Sequence, residues 1–98
     1  MKCLLWNNEK NEELKRTRGI SFEEVGFHIQ NGDVLDIAEH HNKEKYGNQK
    51  IYTVKVNDYA YVVPFVEEKE YDFLKTIIPS RKATKRFLGG GKKDGKSK

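Results

Sequence analysis

Four cations follow an apolar segment that ends at Pro79, and their spacing is suited to holding phosphate groups. They are Arg81, Lys82, Lys85 and Arg86. If this segment is helical, positions 81 and 85 share one face and positions 82 and 86 share another, because residues four apart are neighbours on a helix. Arg can grip a phosphate with two N–H groups, and Lys serves as a point charge. The alternative interpretation is a solvated cationic face without a ligand.

The positive charge of the chain is concentrated at its carboxyl end. Nine of the 19 Lys and Arg residues lie from Lys75 onward, where only Asp94 opposes them. This end therefore carries a net charge of about +8, and the remainder carries about −4. Such an asymmetry favours a polyanionic partner. Lys75 joins the four cations after Pro79 as a candidate RNA or phosphate ligand.

Aromatic and histidine side chains offer two further kinds of chemistry. Tyr52, Tyr59 and Tyr61 fall in a predicted hairpin, where exposed rings beside cations can stack on the bases of single-stranded RNA. Cross-strand packing with solvated hydroxyls is the alternative. His40 and His41 lie where a strand meets a polar loop, and a histidine there can act as a general acid or base near pH 7. The alternative for both histidines is an ordinary surface loop.

Several classes of function are not expected. The single cysteine, Cys3, excludes an internal disulfide and a multi-cysteine zinc site. Adjacent histidines on a strand would point to opposite sides, so we expect no metal site. The sequence has no phosphate-binding glycine loop and no dinucleotide signature, so we expect no cofactor. The sequence shows neither a signal-peptide pattern nor an apolar run of membrane-spanning length. We therefore expect a cytoplasmic protein that does not bind a membrane.

The elements that position these residues can be predicted from capping signals and periodicity. A first strand near residues 2–6 precedes a helix at about 8–18 that ends at Gly19. Ser21 and Glu24 form a capping box that begins a second helix, and Asn31-Gly32 ends it. Residues 51–56, 59–66 and 72–78 are predicted strands of an antiparallel meander, with 34–37 as a short additional candidate. A short last helix opens at Ser80 or Thr84.

These elements predict an α+β fold. We expect two amino-terminal helices, a four-stranded and mainly antiparallel sheet, and a short carboxyl-terminal helix. Residues 1–88 form one domain. Residues 89–98 have no apolar side chain and are expected to be a flexible basic tail.

The chain resembles the BrnT toxin family in four segments that occur in the same order and at similar spacing. The resemblance covers about residues 4–88. The segments are Trp6-Asn7-x-x-Lys10, Arg18-Gly19-Ile20-Ser21-Phe22-Glu23-Glu24, Val63-x-Phe65 and Ile77-Ile78-Pro79-Ser80-Arg81-Lys82-Ala83-Thr84. The resemblance implies a RelE-like fold and the toxin half of a type II toxin–antitoxin module. It also implies a ribonuclease that arrests translation and a DNA-binding antitoxin as partner.

The sequence departs from the family pattern at several positions. The family's aspartate after the tryptophan is Asn7 here, and its Lys-His pair at the end of the first helix is Thr17-Arg18. An arginine that the family often carries in the strand before its Ser-Ala-Arg falls at Thr76, next to Lys75. Pro79-Ser80 replaces Ser-Ala. Of the expected catalytic cations, the resemblance carries over Arg81.

The function expected from the residues and the resemblance is that of a metal-independent endoribonuclease toxin. The RNA 2′-hydroxyl would attack the adjacent phosphate, and Arg81 would stabilise the developing charge. Lys75, Lys82, Lys85 and Arg86 would hold flanking phosphates, and His40 or His41 would transfer protons. Expected partners are a cognate antitoxin, RNA that is free or on the ribosome, and operator DNA through the antitoxin alone. The alternative is a non-nuclease interaction protein of the same fold that uses its basic carboxyl-terminal segment. A plain nucleic-acid-binding module is the third interpretation.

Overall fold

Two helices near the amino terminus pack against one face of a mixed β-sheet. The structure is a computed structural model, which describes residues 3–39 and 42–89. The α+β class predicted from the sequence is confirmed. In chain order the elements are β1 (Cys3–Trp6), α1 (Asn8–Arg18), α2 (Phe22–Gln30), β2 (Val34–Glu39), α3 (Lys43–Tyr46), β3 (Gln49–Val56), β4 (Tyr59–Glu67), β5 (Tyr71–Leu74), β6 (Ile78–Pro79) and α4 (Arg81–Phe87).

The sheet has more strands than the four expected. Its order is β1-β5-β4-β3-β2, and β6 pairs with β4. The predicted count is too low because β2 pairs along β3 and because Ile78–Pro79 returns to β4 after the chain leaves β5. The sheet is mainly antiparallel, as predicted, but β1 runs parallel to β5.

Local capping chemistry explains the bounds of both amino-terminal helices. The Asn7 side chain accepts a hydrogen bond from the Lys10 N–H at 2.9 Å, and Gly19 ends α1 with φ of 67°. The Ser21 hydroxyl accepts from the Glu24 N–H at 3.0 Å and begins α2. The predicted helix at 8–18 and the Ser21 cap are confirmed.

The core lies between these helices and one face of the sheet. Residues opposite each other on antiparallel strands share a face, which places Val54, Val56, Val63 and Phe65 together. All four are buried and form one cluster with apolar side chains of the helices and of the segment after β4. The other members of the cluster are Leu14, Ile20, Phe22, Val25, Leu74 and Ile77.

One buried polar side chain fixes α1 against the start of α2. The Asn11 side-chain oxygen accepts from the Phe22 N–H at 2.7 Å, and its amide nitrogen donates to the Glu23 carboxylate at 2.7 Å. The hydrogen bond from Asn11 holds the pKa of Glu23 below its usual range. Asn11 is fully buried and has no access to water, so its side chain depends on these two partners for its hydrogen bonds.

Membrane-spanning helices are not found in the described part of the chain, since none of its helices is long and apolar enough to cross a bilayer. Gly89 is the last described residue, and the predicted flexible basic tail otherwise lies outside the described residues.

Candidate nucleic-acid interface

The segment after Pro79 forms the predicted helix, α4. The Ser80 hydroxyl accepts a hydrogen bond from the Ala83 N–H at 3.0 Å, which caps the first turn. The Thr84 hydroxyl donates to the Ser80 carbonyl at 2.8 Å. Pro79 precedes this cap and closes β6, because it has no N–H group with which to continue the pairing. Of the two predicted openings of the helix, Ser80 is confirmed.

Helix α4 is fastened to the beginning of β4 through one residue, Ala60. The Ser80 N–H donates to the Ala60 carbonyl at 3.0 Å, and the Ala60 N–H donates to the Thr84 hydroxyl at 2.9 Å. Ala60 and Ala83 are both buried. The helix is therefore held by backbone and side-chain bonds that do not involve its cations.

The four cations of α4 are exposed and lie at the predicted helical spacing. Within residues 3–39 and 42–89, none of them forms an ion pair with an acidic side chain. The Arg86 guanidinium lies 5.2 Å from the centroid of the Phe87 ring. We name the exposed surface of Arg81, Lys82, Lys85 and Arg86 the α4 basic surface. Its charges are available to phosphates because the described part of the protein does not neutralise them.

Lys75 lies apart from the α4 basic surface. The backbone N–H of Lys75 donates to the Pro64 carbonyl at 2.8 Å, whereas α4 is attached to β4 at Ala60. Four residues of β4 separate these two points, which is about 13 Å along a strand. Its ammonium group is exposed and lies 5.9 Å from the centroid of the Phe73 ring. Lys75 can therefore contact a phosphate further along a strand that is bound to α4.

Two of the three hairpin tyrosines flank the point where α4 is attached. Tyr59 and Tyr61 lie on either side of Ala60, and their rings meet edge to face at 5.6 Å. Tyr61 also lies directly opposite Pro79 in the pairing of β4 with β6. Both rings are half-buried. Tyr61 also packs against the core cluster, and Tyr59 and Tyr61 lie opposite the core residues Val56 and Val54, so these rings share the core-facing side of β4. Aromatic rings and cations nevertheless occur at the same end of β4, a combination that is found in single-stranded RNA binding.

Tyr52 does not belong to this surface. Its ring stacks on Phe65 at 4.2 Å, and its hydroxyl donates to the Asp72 carboxylate at 3.1 Å. Burial, together with the charge of Asp72, raises the pKa of Tyr52 to about 12. The packing interpretation therefore applies to Tyr52.

The predicted catalytic histidines, His40 and His41, lie outside the described residues. Glu39 is the residue that precedes them in the chain. It lies opposite Lys50 on β3, and Lys50 in turn lies opposite Phe65 on β4. Phe65 is five residues along β4 from Ala60, or about 17 Å. Glu39 therefore lies towards the end of the sheet away from α4, and the described residues do not bring a histidine to Arg81.

The remaining histidine has a local role. The His28 Nδ1 atom lies 2.7 Å from the Asp33 carboxylate, just beyond the end of α2. Its ring packs edge-on against Phe27. This pair ties the carboxyl end of α2 to the turn that follows, which is a structural role.

Sequence reasoning missed one cation that the fold brings to this region. Arg18, the last residue of α1, donates a hydrogen bond from Nη1 to the backbone carbonyl of Ile77. Ile77 is buried and lies between β5 and β6, four residues before Arg81. In the sequence, Arg18 is recognisable as a basic residue in the last turn of a helix. The sequence carries no signal for a contact with a residue 59 positions later.

The described residues contain no group of three His, Cys, Asp or Glu side chains that could hold a metal ion. Comparison with protein-family models, with curated proteins and with solved structures finds no match to the chain. The α4 basic surface with the tyrosines beside it is therefore the feature from which a function can be inferred.

Proposed function

We propose that this chain is the toxin of a type II toxin–antitoxin module, with a BrnT-like sequence and a RelE-like fold, and that it cleaves RNA without a metal ion. One observation carries the proposal. The exposed cations of α4 are unpaired within the described residues, and the helix is fastened beside Tyr59 and Tyr61. This arrangement is suited to a flexible, negatively charged strand with accessible bases.

In the proposed reaction the RNA supplies its own nucleophile. The 2′-hydroxyl oxygen forms a bond to the adjacent phosphorus while the bond from phosphorus to the 5′-oxygen breaks. The products are a 2′,3′-cyclic phosphate and a 5′-hydroxyl end. Arg81, which opens α4, stabilises the extra negative charge on the phosphate oxygens in the transition state. The proton of the 2′-hydroxyl leaves to a base, and the departing 5′-oxygen receives a proton.

These proton transfers have several candidate groups. His40 and His41 are the candidates from the sequence. The hydroxyls of Tyr59 and Tyr61 are further candidates because both residues flank the attachment of α4. RelE-like sites can lack histidine, so the proposed mechanism does not depend on one.

The other cations hold the strand. Lys82, Lys85 and Arg86 are exposed on the same short helix as Arg81 and would contact flanking phosphates, with Lys75 further along. Each neutralised phosphate releases counterions, so affinity for RNA falls as salt concentration rises. A lost cation should lower both the affinity and the steepness of this dependence.

The proposed partners are a cognate antitoxin, RNA that is free or on the ribosome, and operator DNA through the antitoxin, all in the cytoplasm. Apolar surface supports a protein partner. Phe27 is 62% exposed and Leu5 is 45% exposed. A groove of about 270 Å³ between β1 and α2 is lined in part by Leu4, Trp6 and Phe27. Exposed apolar surface of this kind on a small domain favours association with another protein.

The experiment that tests the nuclease is inducible expression of the wild type beside Arg81→Ala in bacteria. Growth and RNA integrity are followed together. Growth arrest with RNA fragmentation, both abolished by Arg81→Ala, would support the proposal. Lys69→Ala is the matched control, because Lys69 is an exposed cation in the turn between β4 and β5. Arrest with intact RNA would overturn the nuclease function.

The second candidate is an interaction protein that has the fold but no nuclease activity and binds an antitoxin or a target through α4. One observation favours it. Thr76 occupies the position where the BrnT family often carries an arginine. If Arg81→Ala abolishes toxicity but leaves antitoxin binding intact, the nuclease is favoured. Equal loss of both would favour docking, and RNA binding without cleavage would indicate a plain binding module.

A further inference from the structure

Arg18 lies far outside the segment 75–86 in the sequence but contacts it directly. Its Nη1 donates to the Ile77 carbonyl, and β6 and α4 follow immediately. Four residues of chain span at most about 14 Å, so the Arg18 guanidinium lies within that reach of the beginning of α4. The fold therefore brings a cation from α1 to the segment that leads into α4.

The contact with Ile77 does not use all of the hydrogen-bonding capacity of Arg18. A guanidinium carries five N–H donors in a planar fork. Within the described residues, the Arg18 side chain forms no ion pair and no other hydrogen bond, and the residue as a whole is exposed. The remaining donors of its guanidinium are therefore available to a ligand. A phosphate bound there would also be attracted by the cations of α4, which begins within about 14 Å.

We infer that Arg18 binds a phosphate of the nucleic-acid strand that lies on the α4 basic surface, and that its bond to Ile77 orients it for this contact. The inference rests on the proposed function in so far as that function supplies the strand. Arg18 extends the contact surface from one short helix to two elements that are distant in sequence. A bound strand would consequently run from α4 across the segment 77–80 to the carboxyl end of α1.

The chain contains a matched control for Arg18. Arg16 is also an exposed arginine in the last turn of α1. Successive helical residues are about 100° apart, so Arg16 and Arg18 differ by about 200° and point to nearly opposite sides. The Arg16 side chain has no hydrogen bond or ion pair within the described residues. Arg16→Gln and Arg18→Gln thus remove the same charge from the same turn.

The test measures binding separately from cleavage. The probe is a short, fluorescein-labelled single-stranded RNA with 2′-O-methyl groups, which cannot use the 2′-oxygen as a nucleophile. Fluorescence anisotropy measures the dissociation constant of the full chain and its variants at several potassium chloride concentrations, from about 50 to about 200 mM. For Arg18→Gln we expect roughly 5-fold to 10-fold weaker binding, and a slope of log K against log salt that is shallower by about 0.7. Arg16→Gln should leave the slope unchanged.

A purely structural role for Arg18 would give another result. If Arg18→Gln lowers the melting temperature but keeps the wild-type slope, Arg18 only secures Ile77 and the inference is overturned. Equal effects of Arg16→Gln and Arg18→Gln would indicate diffuse attraction and would also overturn it. Arg18→Lys keeps the charge but lacks the planar fork, and it should recover the slope while only partly recovering the affinity.

Failure of the proposed nuclease can be told apart from failure of this inference. If the wild type binds the probe but does not cleave unmodified RNA, the nuclease proposal fails and the role of Arg18 in binding is still decided by the slopes. If the wild type does not bind the probe at any of these salt concentrations, both the proposed function and the role assigned to Arg18 are wrong.

Discussion

The Arg18 side chain donates a hydrogen bond to the backbone carbonyl of Ile77, and this bond joins the carboxyl end of α1 to the segment between β5 and β6. The carbonyl belongs to a fully buried residue, whereas the donor belongs to an exposed one. A charged group at the surface thus satisfies a backbone group at the margin of the core. The basic helix α4 begins four residues later, so the bond joins α1 to the segment that leads into α4.

Replacing Arg18 should therefore destabilise the fold as well as weaken nucleic-acid binding. Arg18→Gln removes a charge-assisted hydrogen bond, and we expect a loss of about 1–2 kcal/mol in the free energy of unfolding. The partial exposure of the bond keeps the loss at the lower end of the range for charged groups. Urea unfolding followed by circular dichroism measures it. Arg16→Gln should change stability by less than about 0.5 kcal/mol, and an equal loss in the two variants would contradict the role assigned to the bond.

Asn11→Ala should lower the free energy of unfolding more than most substitutions of a polar residue. It leaves the Phe22 N–H without its buried acceptor, and we expect a loss of about 2–3 kcal/mol in unfolding free energy. Asn8→Ala, at an exposed position in the first turn of the same helix, is the control. Because Asn11 lowers the pKa of Glu23, this pair stabilises the fold above the ordinary Glu pKa of 4.5. The difference between wild type and Asn11→Ala should therefore shrink as the pH falls below that value.

Thr84→Val tests whether the attachment of α4 matters apart from its charge. Valine has nearly the shape of threonine but cannot accept from the Ala60 N–H, which is buried, or donate to the Ser80 carbonyl. We expect a loss of about 1–3 kcal/mol in stability and weaker RNA binding at unchanged net charge. The comparison is Thr17→Val, because the Thr17 hydroxyl bonds only within α1, to the Glu13 carbonyl. RNA affinity that is unchanged in Thr84→Val would mean that the cations of α4 act without a fixed helix.

The Tyr52–Asp72 hydrogen bond should be visible as a pH dependence of stability at high pH. The pKa of Tyr52 is raised from 10.0 to about 12, so the folded state holds its proton more tightly than the unfolded chain. The stabilisation is complete below pH 10 and is lost as the pH rises from about 10 through about 12. In an ultraviolet titration of the wild type, one tyrosine should ionise about two units later than its ordinary value. Tyr52→Phe should remove this late transition, and its persistence in that variant would assign the raised pKa to another residue.

Much of the secondary structure could be predicted because the signals are local. Asn7, Ser21 and Ser80 cap their helices through bonds to N–H groups three residues away, and Gly19 ends α1 in a conformation that glycine adopts without strain. The same local spacing put four cations on a helix after Pro79. These features depend on residue types within a few positions of one another, so the sequence alone predicted the helices, with Asn7 or Asn8 open as the first cap and Ser80 or Thr84 open as the last.

Only the tertiary structure decided which of these parts meet. The sequence does not distinguish the three tyrosines of the β3–β4 hairpin. In the fold, Tyr52 packs against Phe65 and bonds to Asp72, whereas Tyr59 and Tyr61 lie on either side of the residue to which α4 is attached. The parallel pairing of β1 with β5 and the bond from Arg18 to Ile77 join residues far apart in the chain. Such contacts depend on the global packing of helices on the sheet, for which no neighbouring residue carries a signal. The sequence determined that this protein has a basic helix, and the fold determined that an arginine from α1 and two tyrosines from β4 lie near it.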